Sequence, residues 1–343
     1  MKNQTFINAV LGCALVALVI SSAQVLAQES PQPARPRRGG LYGDWLVKMT
    51  FGERQMESIL SFSRDKEGNR TGQWISFWGI NDLKDVKFED GKLSFLQVVQ
   101  FGENEFRSTF TGTIEDGKLT GTLSSDRGES KLEGKRSPRI PGAVGNWEMK
   151  YKVGEREITG TLVIKVGKEG KLTAEWQSQR GEHEITDLQY ERGNLSFKRK
   201  SKFDDRQWES TFEGTVQRDT NTLTGVIKSE RGEIAAEGKL IGTPLIGTWI
   251  LEITSERGTR KQRLRVNPDM SALYGSMPLK KVNLEDGKVS FKLVMEFGEQ
   301  KFEMSFQGKL ADSKLTGELT SSRGTQKVKG TKVIRTFRRR STE

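Results

Sequence analysis

Few residues of this chain combine the types and the spacing that catalysis requires. The only histidine among 343 residues is His183, which stands between two glutamates and is expected to be solvated on a hairpin loop. The only cysteine is Cys13, so the chain offers no plausible set of zinc ligands. No nucleophile-elbow motif accompanies the histidine. The sequence therefore predicts no catalytic residue, no metal and no cofactor, and a carbohydrate hydrolase that uses two carboxylates is the remote alternative.

A candidate binding site centres on Arg199. This arginine falls in the inward-facing phase of a predicted strand that also carries Leu195 and Phe197. A buried arginine is costly without a partner, so Arg199 is expected either near a barrel mouth or beside an anion. The neighbouring residues predicted to face inward are Tyr151, Trp176, Ser178 and Trp208. Together they predict a small anion or sugar-acid pocket, and the alternative is a β-bulge that turns Arg199 outward.

The elements that carry these residues belong to a threefold internal repeat. The motif Gly43-Asp44-Trp45 recurs as Gly145-Asn146-Trp147 and as Gly247-Thr248-Trp249, with the same spacing of 102 residues each time. Each copy then contains, in the same order, a Gly-x-(Leu/Val)-Ser-Phe segment, a Phe-x-Gly, a Leu-Thr-Gly and an Arg-Gly. Landmarks in a constant order identify tandem copies of one structural unit.

Within each copy, apolar and polar residues alternate with a period of two, and Gly, Asp or Asn mark the turns between the alternating segments. This pattern predicts an all-β chain of three tandem antiparallel meander modules, each with about eight short strands. Each module is expected to close as an up-and-down β-barrel, and a two-layer β-sandwich is the alternative.

Glycines and tryptophans at repeated positions are assigned structural roles. Gly112, Gly121 and Gly134 fall in the inward phase of three consecutive strands, where glycine is expected only if a bulky group approaches. We expect the tryptophan of the first strand to cover these glycines and to plug the core. The tryptophans assigned this role, one in each module, are Trp45, Trp147 and Trp249.

A family resemblance follows from these motifs. A G-x-W motif on the first strand of an antiparallel barrel resembles that of the calycin group, which includes the lipocalins and avidins. The GKLTGT run at residues 117–122 is similar to a hairpin of avidin-like chains. The chain also resembles uncharacterised repeat modules of secreted bacterial proteins. The resemblance implies a barrel and a calycin-like cavity, and it assigns no ligand residue to this chain.

The chain begins with a predicted secretory signal peptide. Lys2 precedes a mostly apolar run from Phe6 to Ile20, and small residues lead to the expected cleavage site after Ala27. The run is too short for a comfortable membrane span, so we expect a secreted or periplasmic bacterial protein without a transmembrane segment or a cysteine. The predicted segments are the signal peptide (1–27), a Pro/Arg-rich linker (28–40), module 1 (41–137), module 2 (138–242), module 3 (243–334) and a basic tail (335–343).

The net charge of +11 is unevenly distributed. The linker carries Arg35, Arg37 and Arg38 against Glu29, and the tail carries four arginines against Glu343. Within the modules, acidic and basic residues are mixed, which is typical of solvated faces and not of a specific nucleic-acid groove. We therefore expect a non-enzymatic binding or scaffold protein at the cell envelope, whose basic ends contact anionic polysaccharide or lipid. The alternative is a small-ligand carrier with a calycin-like cavity in module 2, and the oligomeric state is left open.

Attachment through the basic ends should depend steeply on salt, because it is electrostatic. We expect residues 28–343 to co-sediment with vesicles of phosphatidylglycerol at roughly 0.05 M NaCl and to be released at roughly 0.5 M. Vesicles of phosphatidylcholine serve as the neutral control. Binding that does not change with salt would contradict the expectation.

Overall fold

The computed structural model describes residues 40–51, 54–101, 104–179, 181–256, 258–297 and 300–333. The predicted signal peptide, most of the linker and the basic tail lie outside these ranges. The described chain is all-β, as predicted, apart from a short 3-10 helix at Lys168–Gly170. Within these ranges, no helix is long and apolar enough to cross a membrane.

Module 1 is a closed barrel of eight antiparallel strands. The strands are β1 (Gly43–Phe51), β2 (Arg54–Arg64), β3 (Arg70–Ile75), β4 (Ile80–Glu89), β5 (Lys92–Phe101), β6 (Asn104–Glu115), β7 (Lys118–Ser125) and β8 (Gly128–Arg136). Each strand pairs with the next, and β1 also pairs with β8, where Val47 lies opposite Gly134. This ring of ladders confirms the predicted barrel and excludes the sandwich for module 1.

Module 2 repeats the meander, but two of its neighbouring strands do not pair, and this leaves one open seam in the barrel. Its strands are β9 (Gly145–Val153), β10 (Arg156–Val166), β11 (Leu172–Gln177), β12 (Glu182–Glu191), β13 (Asn194–Phe203), β14 (Arg206–Gln217), β15 (Thr222–Ser229) and β16 (Gly232–Leu240). The first strand β9 pairs with the last strand β16, whereas β11 and β12 form the two ends of the sheet. Module 2 is therefore a nearly closed barrel, which agrees with the predicted barrel module, and its one unpaired seam lies beside Ser178.

Module 3 contains nine strands, because two very short strands replace one longer strand. They are β17 (Gly247–Ser255), β18 (Gly258–Val266), β19 (Ala272–Tyr274), β20 (Met277–Leu279), β21 (Val282–Glu285), β22 (Lys288–Phe297), β23 (Gln300–Ala311), β24 (Lys314–Ser321) and β25 (Gly324–Lys332). Strand β17 pairs with β25, and the open seam lies between β20 and β21. Module 3 is therefore also a nearly closed barrel, in agreement with the predicted barrel module.

The tryptophan of each G-x-W motif is enclosed in the core of its module. Trp45, Trp147 and Trp249 are at most 1% exposed. Each indole N–H donates a hydrogen bond of 2.8–2.9 Å to the carbonyl oxygen four residues earlier. This bond satisfies the one polar atom that such a side chain brings into an apolar interior.

The three glycines of module 1 do not lie beneath Trp45: Phe110 covers two of them, and Val47 packs against the third. A Cβ atom at Gly112 or Gly121 would lie 2.5 or 2.6 Å from the ring of Phe110, and one at Gly134 would lie 2.8 Å from Val47. The expectation that Trp45 covers these glycines was wrong. Phe110 precedes Gly112 by two residues on β6, and its ring packs over Gly112 and Gly121. A side chain at either glycine would block this packing.

Modules 1 and 3 are joined by an ion-pair cluster around Asp44. The carboxylate of Asp44 accepts hydrogen bonds from Ser61 at 2.7 Å, Arg263 at 3.2 Å and Arg265 at 3.0 Å. Its side chain is only 9% exposed. Burial alone would raise the pKa of Asp44, but the charge of Arg263, the Ser61 hydrogen bond and the charge of Arg265 outweigh it and hold the pKa below 3.8.

A polar and apolar contact extends this interface. Gln262 of β18 is fully buried and donates to the carbonyl oxygens of Ser76 and Phe77 at 3.0 and 2.7 Å. The Phe77 ring packs against the core of module 3 and lies 6.0 Å from the ring of Phe302. The backbones approach so closely that a Cβ atom at Gly275 would lie 2.3 Å from the Ser76 oxygen.

We expect Trp147→Ala to lower the free energy of unfolding by roughly 3–5 kcal/mol, because it leaves a large cavity and removes a buried hydrogen bond. Chemical denaturation of residues 28–343 measures the change. Trp78→Ala is the control, since Trp78 is 69% exposed and should shift the transition little. Equal denaturation midpoints for Trp147→Ala and the wild type would show that Trp147 is not a core residue.

We expect Asp44→Asn, which copies Asn146 of module 2, to destabilise the protein by roughly 3–5 kcal/mol at neutral pH, because it removes the charge of a buried carboxylate that accepts hydrogen bonds from Arg263 and Arg265. The lowered pKa means that this stabilisation is present above the unfolded-state pKa and is lost as the pH falls through the folded-state pKa. The wild type should therefore lose more stability than the variant below pH 3.8.

Denaturation midpoints recorded from pH ~7 to pH ~2 test both effects. Glu57→Gln is the matched control, because the Lys48–Glu57 pair is 61% and 64% exposed and is screened by solvent. An acid response of Asp44→Asn identical to that of the wild type would show that Asp44 does not carry the pH dependence.

Candidate functional site

The candidate site lies inside module 2, on the inner face of β13. Leu195, Phe197, Arg199 and Ser201 alternate along this strand and are all buried, with Arg199 only 5% exposed. Arg199 lies opposite Ser210 of β14, and the bulge of this region lies on β12, not on β13. The inward–outward alternation of side chains therefore continues along β13 without interruption. The alternative that a bulge turns Arg199 outward was wrong.

Aromatic faces, and no carboxylate, surround the Arg199 guanidinium. Its Cζ atom lies 4.3 Å from the ring centroid of Trp176 and 5.7 Å from that of Tyr151. Among the described residues, none forms a hydrogen bond or an ion pair with the guanidinium, and its enclosed Nη1 has no partner. Cation–π contacts offset only part of the free energy that the guanidinium loses on leaving water.

His183 connects two serines beside this arginine. It lies on β12 and not on a loop, and its Nε2 and Nδ1 atoms are 2.8 Å from Ser178 Oγ and 2.9 Å from Ser201 Oγ. The expectation of a solvated histidine was wrong, because the alternation of β12 directs this side chain toward Ser201, its partner across the ladder. The Ser178 contact also bridges the open seam between β11 and β12. Hydroxyl groups donate or accept, so either neutral tautomer of His183 fits.

The site occupies a layer between an apolar floor and an apolar rim. Strand β9 runs from the enclosed Trp147 at the floor, past Tyr151, to Val153, which is 46% exposed. At the same end, Phe203 and Trp208 are 41% and 43% exposed. Trp208 was predicted to lie inside the pocket. It does share the inward phase, since it lies opposite Ser201, but it stands at the mouth and not in the interior.

The same positions in modules 1 and 3 carry no charge. Arg199 corresponds to Gln97 in module 1 and to Leu293 in module 3. Ser201 likewise corresponds to Val99 and Met295. The charged lumen of module 2 is therefore a departure from a shared barrel and not a requirement of the fold.

Two depressions of the described surface lie away from this site. They have volumes of about 360 and 550 Å³ and lie in module 3, one beside Pro244 and Leu284 and the other beside Gln307 and Glu318. No group of three or more His, Cys, Asp or Glu side chains in the described ranges is arranged to hold a metal ion.

Sequence reasoning identified Arg199, Tyr151, Trp176 and Ser178 as neighbours, and the structure brings them together with His183. It missed His183 because two flanking glutamates suggested a solvated loop. A usable signal was present: Glu182, His183 and Glu184 continue the polar–apolar alternation that leads to Ile185. This phase places the histidine, and not the glutamates, on the inner face.

No protein-family model and no curated protein matches the chain. Similar solved structures include a candidate outer membrane protein from Bacteroides fragilis, with 11% identity, coverage of 85% of this chain and 97% of that chain, and a TM-score of 0.22. A DUF3598-family protein of unknown function from Nostoc punctiforme is 12% identical, with coverage of 85% and 96% and a TM-score of 0.22. Transferrin binding protein B from Haemophilus parasuis is 11% identical, with coverage of 85% and 76% and a TM-score of 0.19. Such low TM-scores carry no inference about fold or function, so the calycin resemblance rests on the sequence motifs alone.

Proposed function

We propose that this protein is a non-enzymatic binding protein whose module 2 binds a small anion through Arg199, while modules 1 and 3 act as a scaffold. The observation that carries the proposal is the enclosed guanidinium, whose Nη1 has no hydrogen-bond partner among the described residues. Arginine stays protonated at any physiological pH, so it cannot relieve its burial by losing a proton. A bound carboxylate or phosphate supplies both the missing charge and the missing acceptor.

The surroundings of Arg199 support a binding role. The planar guanidinium packs against Trp176 and Tyr151, whose rings also contact each other, and this packing restricts its orientation before any ligand arrives. Ser201 and Ser210 are buried beside it on β13 and β14 and offer hydroxyl groups for further hydrogen bonds. In module 3, the corresponding positions hold Met295 and Met304, which fill their lumen as expected for a small barrel.

A location at the cell envelope is part of the proposal. It is supported by the apolar leader that ends near Ala27 and by the arginine-rich segments at both ends of the mature chain. In this arrangement, the ends hold the protein at an anionic surface and the lumen of module 2 captures a soluble anion.

Titration calorimetry of residues 28–343 with inorganic phosphate and with acetate tests the anion site. We expect one binding site per chain in the wild type and none in Arg199→Leu or Arg199→Gln, which copy modules 3 and 1. Gln97→Leu is the matched control in module 1 and should bind as the wild type does. If neither anion binds to the wild type, or if Arg199→Leu binds as tightly, the proposal is wrong.

A stability measurement separates this role from a structural one. We expect ligand-free Arg199→Leu to melt at a higher temperature than the wild type, because it replaces an unpaired buried charge with an apolar side chain that module 3 accommodates at this position. Differential scanning calorimetry measures the shift. A clear decrease in melting temperature would instead identify Arg199 as a structural residue.

A further inference from the structure

We propose that the anion bound by Arg199 is the acidic group of a saccharide, whose sugar ring lies against the indole of Trp208 at the mouth of module 2. This inference rests on the proposed anion site. It adds the chemical class of the ligand and a second contact residue.

Trp208 differs from its counterparts in the way that its ring is covered. In module 1, the corresponding Phe106 lies under the guanidinium of Arg127 at 4.2 Å. In module 3, the corresponding Phe302 packs against Phe77 at 6.0 Å. Trp208 has neither contact among the described residues and is 43% exposed. An uncovered indole on the lumen side of a barrel mouth offers a flat apolar surface to a ligand.

The spacing along β14 fits a ligand that touches both residues. Arg199 lies opposite Ser210. Trp208 lies two residues before Ser210 on β14, nearer the mouth, and its side chain has the same inward phase. Two residues of a strand span roughly 7 Å. A ligand whose anionic group lies beside Arg199 can therefore place the ring attached to that group against Trp208. A sugar acid, in which the carboxylate is attached to a hexose ring, has this arrangement.

The polar layer around Arg199 distinguishes a sugar acid from an aromatic or fatty acid. Four polar side chains line this part of the lumen, one just after the end of β11 and one each on β12, β13 and β14. They are Ser178, His183, Ser201 and Ser210. The hydroxyl groups of a sugar can exchange hydrogen bonds with these side chains. An aromatic or fatty acid would instead press apolar surface against polar atoms, which is unfavourable.

Titration calorimetry with D-glucuronate, D-glucose, benzoate and acetate tests the class of ligand, using residues 28–343. We expect glucuronate to bind more tightly than acetate and benzoate, and we expect glucose, which has the ring without the charge, to bind at least tenfold more weakly. Trp208→Ala should weaken glucuronate binding roughly three- to tenfold and leave acetate binding unchanged. Phe106→Ala in module 1 is the matched control and should change neither.

The outcomes separate this inference from the anion site on which it rests. If phosphate and acetate bind through Arg199 but glucuronate gains nothing over acetate, the saccharide assignment is wrong and the anion site stands. Tighter binding of benzoate than of glucuronate would assign an aromatic acid instead. Glucuronate binding that is unaffected by Trp208→Ala would overturn the contact at the mouth. If none of the anions binds, both proposals are wrong.

Discussion

A guanidinium enclosed in module 2 with no counter-charge among the described residues is the constraint on which the proposed function depends. Arg199 is buried, and its guanidinium packs against the rings of Trp176 and Tyr151. These rings attract the cation, but they do not replace the hydrogen bonds that water gives to each N–H group. A lysine in this position could lose its proton, whereas an arginine cannot. In the proposed function, a ligand supplies the counter-charge, and the polar layer of His183 and the serines lines its binding place.

The three copies of one barrel differ at a few equivalent positions. Modules 1 and 3 carry uncharged residues where module 2 carries Arg199, and they are held together by Asp44, which module 2 replaces with Asn146. Small changes at equivalent positions thus give module 1 an ion-pair contact with module 3 and give module 2 the buried arginine of the proposed binding site. The G-x-W tryptophan, with its indole hydrogen bond inside the core, is common to all three copies.

Local patterns carried most of the fold prediction. The period-two alternation and the glycine turns predicted about eight antiparallel strands per module, and the modules have eight, eight and nine. The phase of β13 also predicted that Arg199 faces inward. Contacts between distant segments were not predictable: Asp44 meets Arg263 across 219 residues, and the ring over Gly112 proved to be Phe110 and not Trp45. The exposure of Trp208 likewise depends on where a barrel mouth ends, which alternation does not encode.

Native mass spectrometry of residues 28–343, purified gently from the organism that produces the protein, tests the central claim most directly. Arg199→Leu, prepared in the same way, is the comparison. The account predicts one additional discrete mass per chain in the wild type and its absence in the variant. A bare polypeptide mass in both proteins, or an additional mass that persists in Arg199→Leu, would contradict the claim that Arg199 holds an anionic ligand.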